Sequence, residues 1–360
     1  MHALLAVAVL LLAALPSHAS PAGEAATVLA PASLCADPTM PVAFSGYVPI
    51  GGIDQWVTIR GDRCDQPIVL VVHGGPGNPL TPFADALFGD LEAEFVVVQW
   101  DQRGAGRTFG RNPQLADTPM TLAQMTSDGV DVATRVAAAL RQPKVILLGG
   151  SWGSALAVHM AMANPTAFHA YVGAGQLVQE RENNIDAVAR LRALAEPAGD
   201  TATLALLDAL GPPPWTNPRS FGKLRRATRV YEAKASTPSP AHWWQPSVEY
   251  ATPADAAALE AGEEYSYIQF VGMTGGGILS QIDLWKLGTD FPLPITLIQG
   301  EHDLVTTKDV ARRWFDSLQA PDKSFVLLER TGHDPNEEMM AAEAAALRRI
   351  RTSLAGAAPR

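Results

Sequence analysis

The sequence predicts an α/β fold built on an eight-stranded, mostly parallel sheet, with a block of helices inserted after the sixth strand. Three observations carry this. Near-continuous Val/Ile/Leu runs recur along the chain, as strands covered on both faces require. Helix-length patterns lie between them and supply the crossovers that parallel strands need. The alternation then stops between about 177 and 290, where Pro212-Pro213-Pro214-Trp215, Trp243-Trp244 and helix-like runs such as Ala187 to Leu194 replace it.

Strands are expected at 43–50, 54–60, 67–73, 94–100, 144–149, 169–174, 294–299 and 324–329. The first two, joined through Gly51-Gly52, read as an opening hairpin. Helices are expected at 121–140, 151–163, 307–319 and 338–354. The chain therefore divides into an N-terminal segment at 20–42, a core at 43–176 and 291–356, and a helical cap at 177–290. Within the cap, Gly275-Gly276-Gly277 reads as a hinge or a tight turn.

Residues 1–19 are expected to lie outside the fold. The apolar run Ala3 to Leu15 is too short to span a bilayer and leads through Pro16 to the small-residue site Ser17-His18-Ala19. This is the pattern of a secretory signal cut after Ala19, and it implies a periplasmic or secreted protein with no membrane attachment after cleavage. Lys and Arg are missing ahead of the run, where only the terminal amine and His2 stand, so a membrane anchor or a misplaced start is the alternative. Cys35 and Cys64 are the only cysteines. In an exported chain they suggest one disulfide closing a loop of roughly 30 residues, worth about 3 to 4 kcal/mol in the chain-entropy model. Two separate buried thiols are the alternative.

With 360 residues, 47% hydrophobic and 18% charged, the chain can bury a large core and reads as one enzyme-sized unit. A net charge of −10 argues against nucleic acid and anionic membrane surfaces as partners. No cofactor is expected: Gly104-Ala105-Gly106-Arg107-Thr108-Phe109-Gly110 places its third glycine one position too late for a dinucleotide loop, and 111–120 do not continue as a helix. No metal is expected either, since there is no H-E-x-x-H pattern and no cysteine cluster.

The chemistry centres on Gly149-Gly150-Ser151-Trp152-Gly153, between the apolar run Lys144 to Leu148 and the helix-like run Ala155 to Met162. A strand that turns this sharply into a helix holds the central serine in a strained conformation, and the flanking glycines allow close strand-helix approach. The serine is thereby exposed as a nucleophile, which needs a base and a carboxylate to orient that base. Glu301-His302-Asp303 follows one later apolar run and Thr331-Gly332-His333-Asp334 follows the next, each just past a strand end. Ser151, Asp303 and His333 are assigned as the triad, in the chain order of α/β-hydrolases. Rivals are His302 as base and Glu301 as acid; Asp334 reads as a solvated or structural carboxylate. The oxyanion donors are expected to be the backbone amide of Trp152 and that of Gly75, with Gly74 as second choice, in the loop His73-Gly74-Gly75-Pro76-Gly77 that follows a strand. Asp101 and Arg103 are expected to brace the loop beneath the pocket.

These segments carry a resemblance. His73-Gly74-Gly75-Pro76-Gly77, Asp101-Gln102-Arg103-Gly104-Ala105-Gly106-Arg107-Thr108 and Gly149-Gly150-Ser151-Trp152-Gly153-Ser154 are similar to the successive signatures of the proline iminopeptidase (prolyl aminopeptidase) family of α/β-hydrolases. The resemblance spans roughly residues 45 to 350 and implies a hydrolase that releases N-terminal residues from small peptides through an acyl-enzyme. It also implies acidic cap residues that hold the substrate's free amino group. Glu264-Tyr265-Ser266-Tyr267-Ile268 matches one such stretch, which makes Glu264 the implied substrate-binding residue; a solvated helix face is the alternative for Glu263 and Glu264. The other, a Trp-Glu pair, has no match, for the chain reads Trp243-Trp244-Gln245 there. That gap leaves a carboxylesterase acting on small acyl esters as the alternative substrate class. A non-catalytic binding module would show a damaged triad or a filled oxyanion loop, and neither is visible.

Overall fold

The computed structural model describes residues 25–357, so the leader-like segment at 1–19 lies outside the described residues. Eight strands form one sheet: β1 (Val42–Ile50), β2 (Ile53–Gly61), β3 (Ile68–Val72), β4 (Val96–Trp100), β5 (Val145–Gly150), β6 (Phe168–Ala174), β7 (Ile295–Gly300) and β8 (Lys323–Leu328). Their order is β1-β2-β4-β3-β5-β6-β7-β8. The hairpin β1-β2 is antiparallel, as is the β2-β4 pairing, and every pairing from β4 through β8 is parallel. Ile50 pairs with Ile53 across a two-residue turn whose glycines, Gly51 and Gly52, both have positive φ, the turn that matches strand twist.

The helices are α1 (Ala84–Phe88), α2 (Gly106–Arg111), α3 (Leu122–Ala139), α4 (Trp152–Ala163), α5 (Glu180–Ala195), α6 (Thr201–Leu210), α7 (Pro218–Ala235), α8 (Pro253–Val271), α9 (Lys308–Ser317) and α10 (Glu337–Ala357). Alternate residues of one strand feed two different cores. Ile68, Leu70 and Val72 of β3 pack with residues of α3, α4 and α9, whereas Val69 and Val71 pack with residues of α1 and α10. This two-sided burial explains why the parallel strands read as unbroken apolar runs rather than alternating ones.

Helices α5 to α8 all lie between β6 and β7, where the sequence pattern broke. Two small residues of α8 seat it on the signature loops. Gly262 lets the helix approach Gly104 and Gly106, and the Ser266 hydroxyl donates to the Gly104 carbonyl at 2.7 Å. Gly275 to Gly277 form a tight turn after α8, closed by Gly277 N–H donating to the Val271 carbonyl. Cys35 and Cys64 are joined in a disulfide that ties the N-terminal segment to the end of β2. No helix among the described residues is long and apolar enough to cross a membrane.

Candidate active site

The turn between β5 and α4 sets Ser151 at φ 53 and ψ −124, outside the regions an L-residue prefers. Close packing enforces it. A Cβ on Gly153 would stand 1.9 Å from the Val72 carbonyl oxygen, and one on Gly149 would stand 2.6 Å from that of Gly153. The Ser151 amide donates to the Ala174 carbonyl at 3.0 Å, which anchors the elbow to β6.

Three loops meet at this serine. Ser151 Oγ lies 3.0 Å from His333 Nε2, and His333 Nδ1 lies 3.0 Å from Asp303 Oδ2. The Asp303 carboxylate also accepts from the amides of Val305 and Thr306, from the Thr306 hydroxyl and from the Gln299 side chain. Burial would raise this carboxyl, but the charge and hydrogen bond of His333, with the donors from Thr306 and Val305, outweigh it and hold Asp303 below the ordinary aspartate range. For His333, burial opposes protonation, yet the Asp303 charge and hydrogen bond raise it above the ordinary histidine value of 6.5.

The loops carrying the other signatures are cross-linked beneath the serine. The Trp152 indole donates to Gln102 Oε1 at 2.9 Å, and Gln102 Nε2 donates to the His73 carbonyl at 2.8 Å. His73 Nδ1 sits 2.8 Å from the Gly74 carbonyl, while its Nε2 accepts from the Gln102 amide at 3.2 Å. That pairing requires a neutral ring, and burial lowers His73 to about 4. Asp101 accepts from the Thr81 hydroxyl and the Arg107 amide, and Arg103 pairs with Asp128 at 2.8 Å and donates to the Gly51 carbonyl, so both act as braces. Gly74 packs against Ser151, where an added Cβ would stand 3.0 Å from the serine Cβ. Gly75 and Trp152 line the same cavity as Ser151, and Trp152 opens α4, a position whose amide has no intrahelical acceptor.

A cleft of about 930 Å³ opens over Ser151 and His333. From α8 it receives Glu260, Glu263, Glu264 and Tyr267, which puts Glu264, an exposed residue, on its lining. A second, narrow cavity of about 50 Å³ opens from Ser151 between Leu177, Phe221, Leu224 and Leu279, with Glu180 and Asn183 at its polar end. Of the aromatic cap residues, Phe221, Tyr267 and Trp244 reach these walls, whereas Trp243 is buried in the core. Gln245 is exposed. Glu301 pairs with Lys308 at 2.8 Å, and neither it nor His302 lines either cavity. Asp334 pairs with Arg225 of α7 at 2.9 Å, tying the His333 loop to the cap.

Sequence reasoning missed several residues around the site. Glu232 accepts from the Leu304 amide and pairs with Arg225, directly behind Asp303. Burial and then the Asp303 charge push its carboxyl up. In sequence it is one charge among many on α7, indistinguishable from a solvated face. Gln299 ends an apolar strand run and Thr306 sits in a mixed loop, so neither marks itself as holding Asp303, and Glu180 carries no motif. Glu343 did leave a signal: it is the lone acid on the apolar face of α10, one turn from Met339 and one from Leu347.

A family model described as serine aminopeptidase, S33, matches residues 64–339, most of the chain and every loop that meets at Ser151. The chain belongs to this serine aminopeptidase S33 family. Among its relatives, the probable aminopeptidase YbaC of Bacillus subtilis is 25% identical over 82% of this chain and 92% of its own length. In solved structures, the proline iminopeptidase of Mycobacterium smegmatis superposes with a TM-score of 0.62 at 21% identity, over 86% of this chain and all of that one. The crystal structure of VinJ superposes at 0.64 and 22% identity, over 86% of this chain and 99% of that one. These structural likenesses bear on the fold alone. The S33 member described here is thus a proline iminopeptidase-like α/β-hydrolase enzyme, with its sheet, elbow and inserted helices arranged as that fold requires.

Proposed function

We propose that this S33 hydrolase is an exported serine aminopeptidase that releases N-terminal residues from small peptides through an acyl-enzyme. The observation that carries the reading is the unbroken relay of 3.0 Å from Ser151 Oγ to His333 Nε2 and 3.0 Å from His333 Nδ1 to Asp303 Oδ2. His333 takes the Ser151 proton as the serine attacks the scissile carbonyl, and Asp303 stabilises the imidazolium and fixes its tautomer. The amides of Gly75 and Trp152, with Gly74 shaping the loop, face the developing oxyanion; loss of one such donor typically costs about 100- to 1000-fold in rate. His333 then protonates the departing amine, and water activated by the same histidine releases the acid.

The carboxylates of Glu260, Glu263 and Glu264 at the cleft rim support recognition of a free ammonium. The disulfide between Cys35 and Cys64 supports an oxidising compartment, in keeping with the leader-like residues 1–19. Fluorophosphonate labelling with Ser151→Ala as control tests the nucleophile: well-folded protein that fails to label refutes the reading. A carboxylesterase is the second reading, favoured by the uncharged Gln245 where the family places another acid. Turnover of prolyl and alanyl anilides against short acyl esters separates the two, and cleavage of esters alone excludes the aminopeptidase.

A further inference from the structure

The cleft has an arm that the acyl-transfer steps do not use. It is bounded by the carboxyl ends of β3 and β5, by α1 and by α10, and its walls are Val71, Leu87, Phe88, Leu148 and Met339. One ionisable group stands among them, Glu343.

Glu343 is only 7% exposed, no hydrogen bond or ion pair of the described residues reaches its carboxyl, and that carboxyl keeps contact with the cleft. An unpartnered buried carboxylate is strongly unfavourable, whereas an apolar residue at this place would extend the face formed by Met339 and Leu347. The described residues offer it no partner, so a cation entering the cleft would be its first. Charge in the cleft is predominantly of the same sign. Glu260, Glu263 and Glu264 face it from α8, while the cations that line it, Arg225 and Arg229, already lie against Glu232 and Asp334. A cleft with low-dielectric walls and an excess of one sign of charge concentrates ligands of the other sign.

We propose that this arm is a specificity pocket for substrates bearing an ammonium at the end of an apolar stem, with Glu343 as the countercharge. The apolar walls take the stem and the carboxyl takes the cation, so primary alkylamines and residues with basic aliphatic side chains are the matching class. Burial as the sole perturbing cause pushes Glu343 up to about 8, which agrees with an acid that waits for a cation rather than one already paired. The assignment of the stem to the substrate rests on Ser151 being the nucleophile; the binding of an ammonium does not.

The test uses the full chain, n-hexylamine and n-hexanol. Thermal unfolding is followed with each compound for the wild type, for Glu343→Gln, which is close in shape, and for Glu343→Leu, which extends the apolar face of Met339 and Leu347. Hexylamine is expected to raise the wild-type midpoint well beyond hexanol, and the difference is expected to vanish in both variants. In parallel, hexylamine is expected to slow fluorophosphonate labelling of Ser151, with at least a tenfold weaker effect in Glu343→Gln. Absence of stabilisation by hexylamine, equal stabilisation by hexanol, or an amine preference that survives both substitutions overturns the proposal. An amine-specific shift lost in Glu343→Gln, in protein that does not label, would leave the pocket standing and refute the nucleophile.

Discussion

Replacing Glu343 with glutamine should change how stability depends on pH. The carboxyl has an ordinary value of 4.5 when solvated, and burial raises it to about 8 in the folded chain. Between these values the unfolded chain loses its proton while the native chain keeps it, so the native state binds more protons and stability falls as pH rises. The contribution is fully present below pH 4.5 and is lost through the folded value near 8. Glutamine is close in shape and does not titrate. Relative to the wild type, Glu343→Gln should therefore gain about 1.4 kcal/mol per pH unit, or about 4 kcal/mol between pH 5 and pH 8. Other buried acids with raised values, such as Asp101, Glu180 and Glu232, are common to both proteins and cancel in the difference. Urea unfolding at unit pH steps supplies the measurement. A difference that stays flat from pH 5 to 8 would show that the carboxyl is hydrated or paired, and would refute the reasoning.

The other expectations concern the elbow and the relay. Ser151→Gly should abolish turnover yet stabilise the fold by about 1 kcal/mol or more, because glycine tolerates the positive φ; equal or lower stability in denaturant titration would argue against strain there. Asp303→Asn should reduce kcat by about 10⁴-fold with little change in KM, since the amide favours the wrong histidine tautomer. The acid limb of the kcat/KM profile should lie above pH 6.5, as activity needs neutral His333 and Asp303 raises its value. Glu232→Gln, which removes a carboxylate that raises His333 further, should move that limb to lower pH, and a limb that stays put would count against the coupling. Mild reduction of Cys35–Cys64 should lower stability by about 3 to 4 kcal/mol, read by denaturant titration with and without reductant.

Legibility followed the range of the interaction. All eight strands lie within two residues of their expected bounds, because a strand buried on both faces writes its environment into consecutive Val, Ile and Leu residues. Gly149 and Gly153 were legible because steric exclusion at the elbow leaves no room for a Cβ. The gap in the strand pattern located the inserted helices, but nothing in it foretold that Gly262 and Ser266 would seat α8 on the Gly104 loop, a contact between residues about 160 positions apart. Gln102 sits inside a recognisable signature, yet its link between His73 and the Trp152 indole emerges only once three loops converge.

By itself the amino-acid order determined the sheet, the strained serine, and the carboxylate and imidazole that follow it at strand ends, since periodicity, backbone sterics and strand-end placement act over a few residues. Tertiary packing alone decided which carboxylates lose their water. Glu301 and Asp303 are two positions apart on one loop, and one is paired with Lys308 near the surface while the other is buried against His333. Glu343 and Glu337 share one helix, and only the former faces the cleft. Desolvation and Coulomb energy depend on every group within several ångströms, wherever it falls in the chain, so the electrostatics of this site came into being only with the fold.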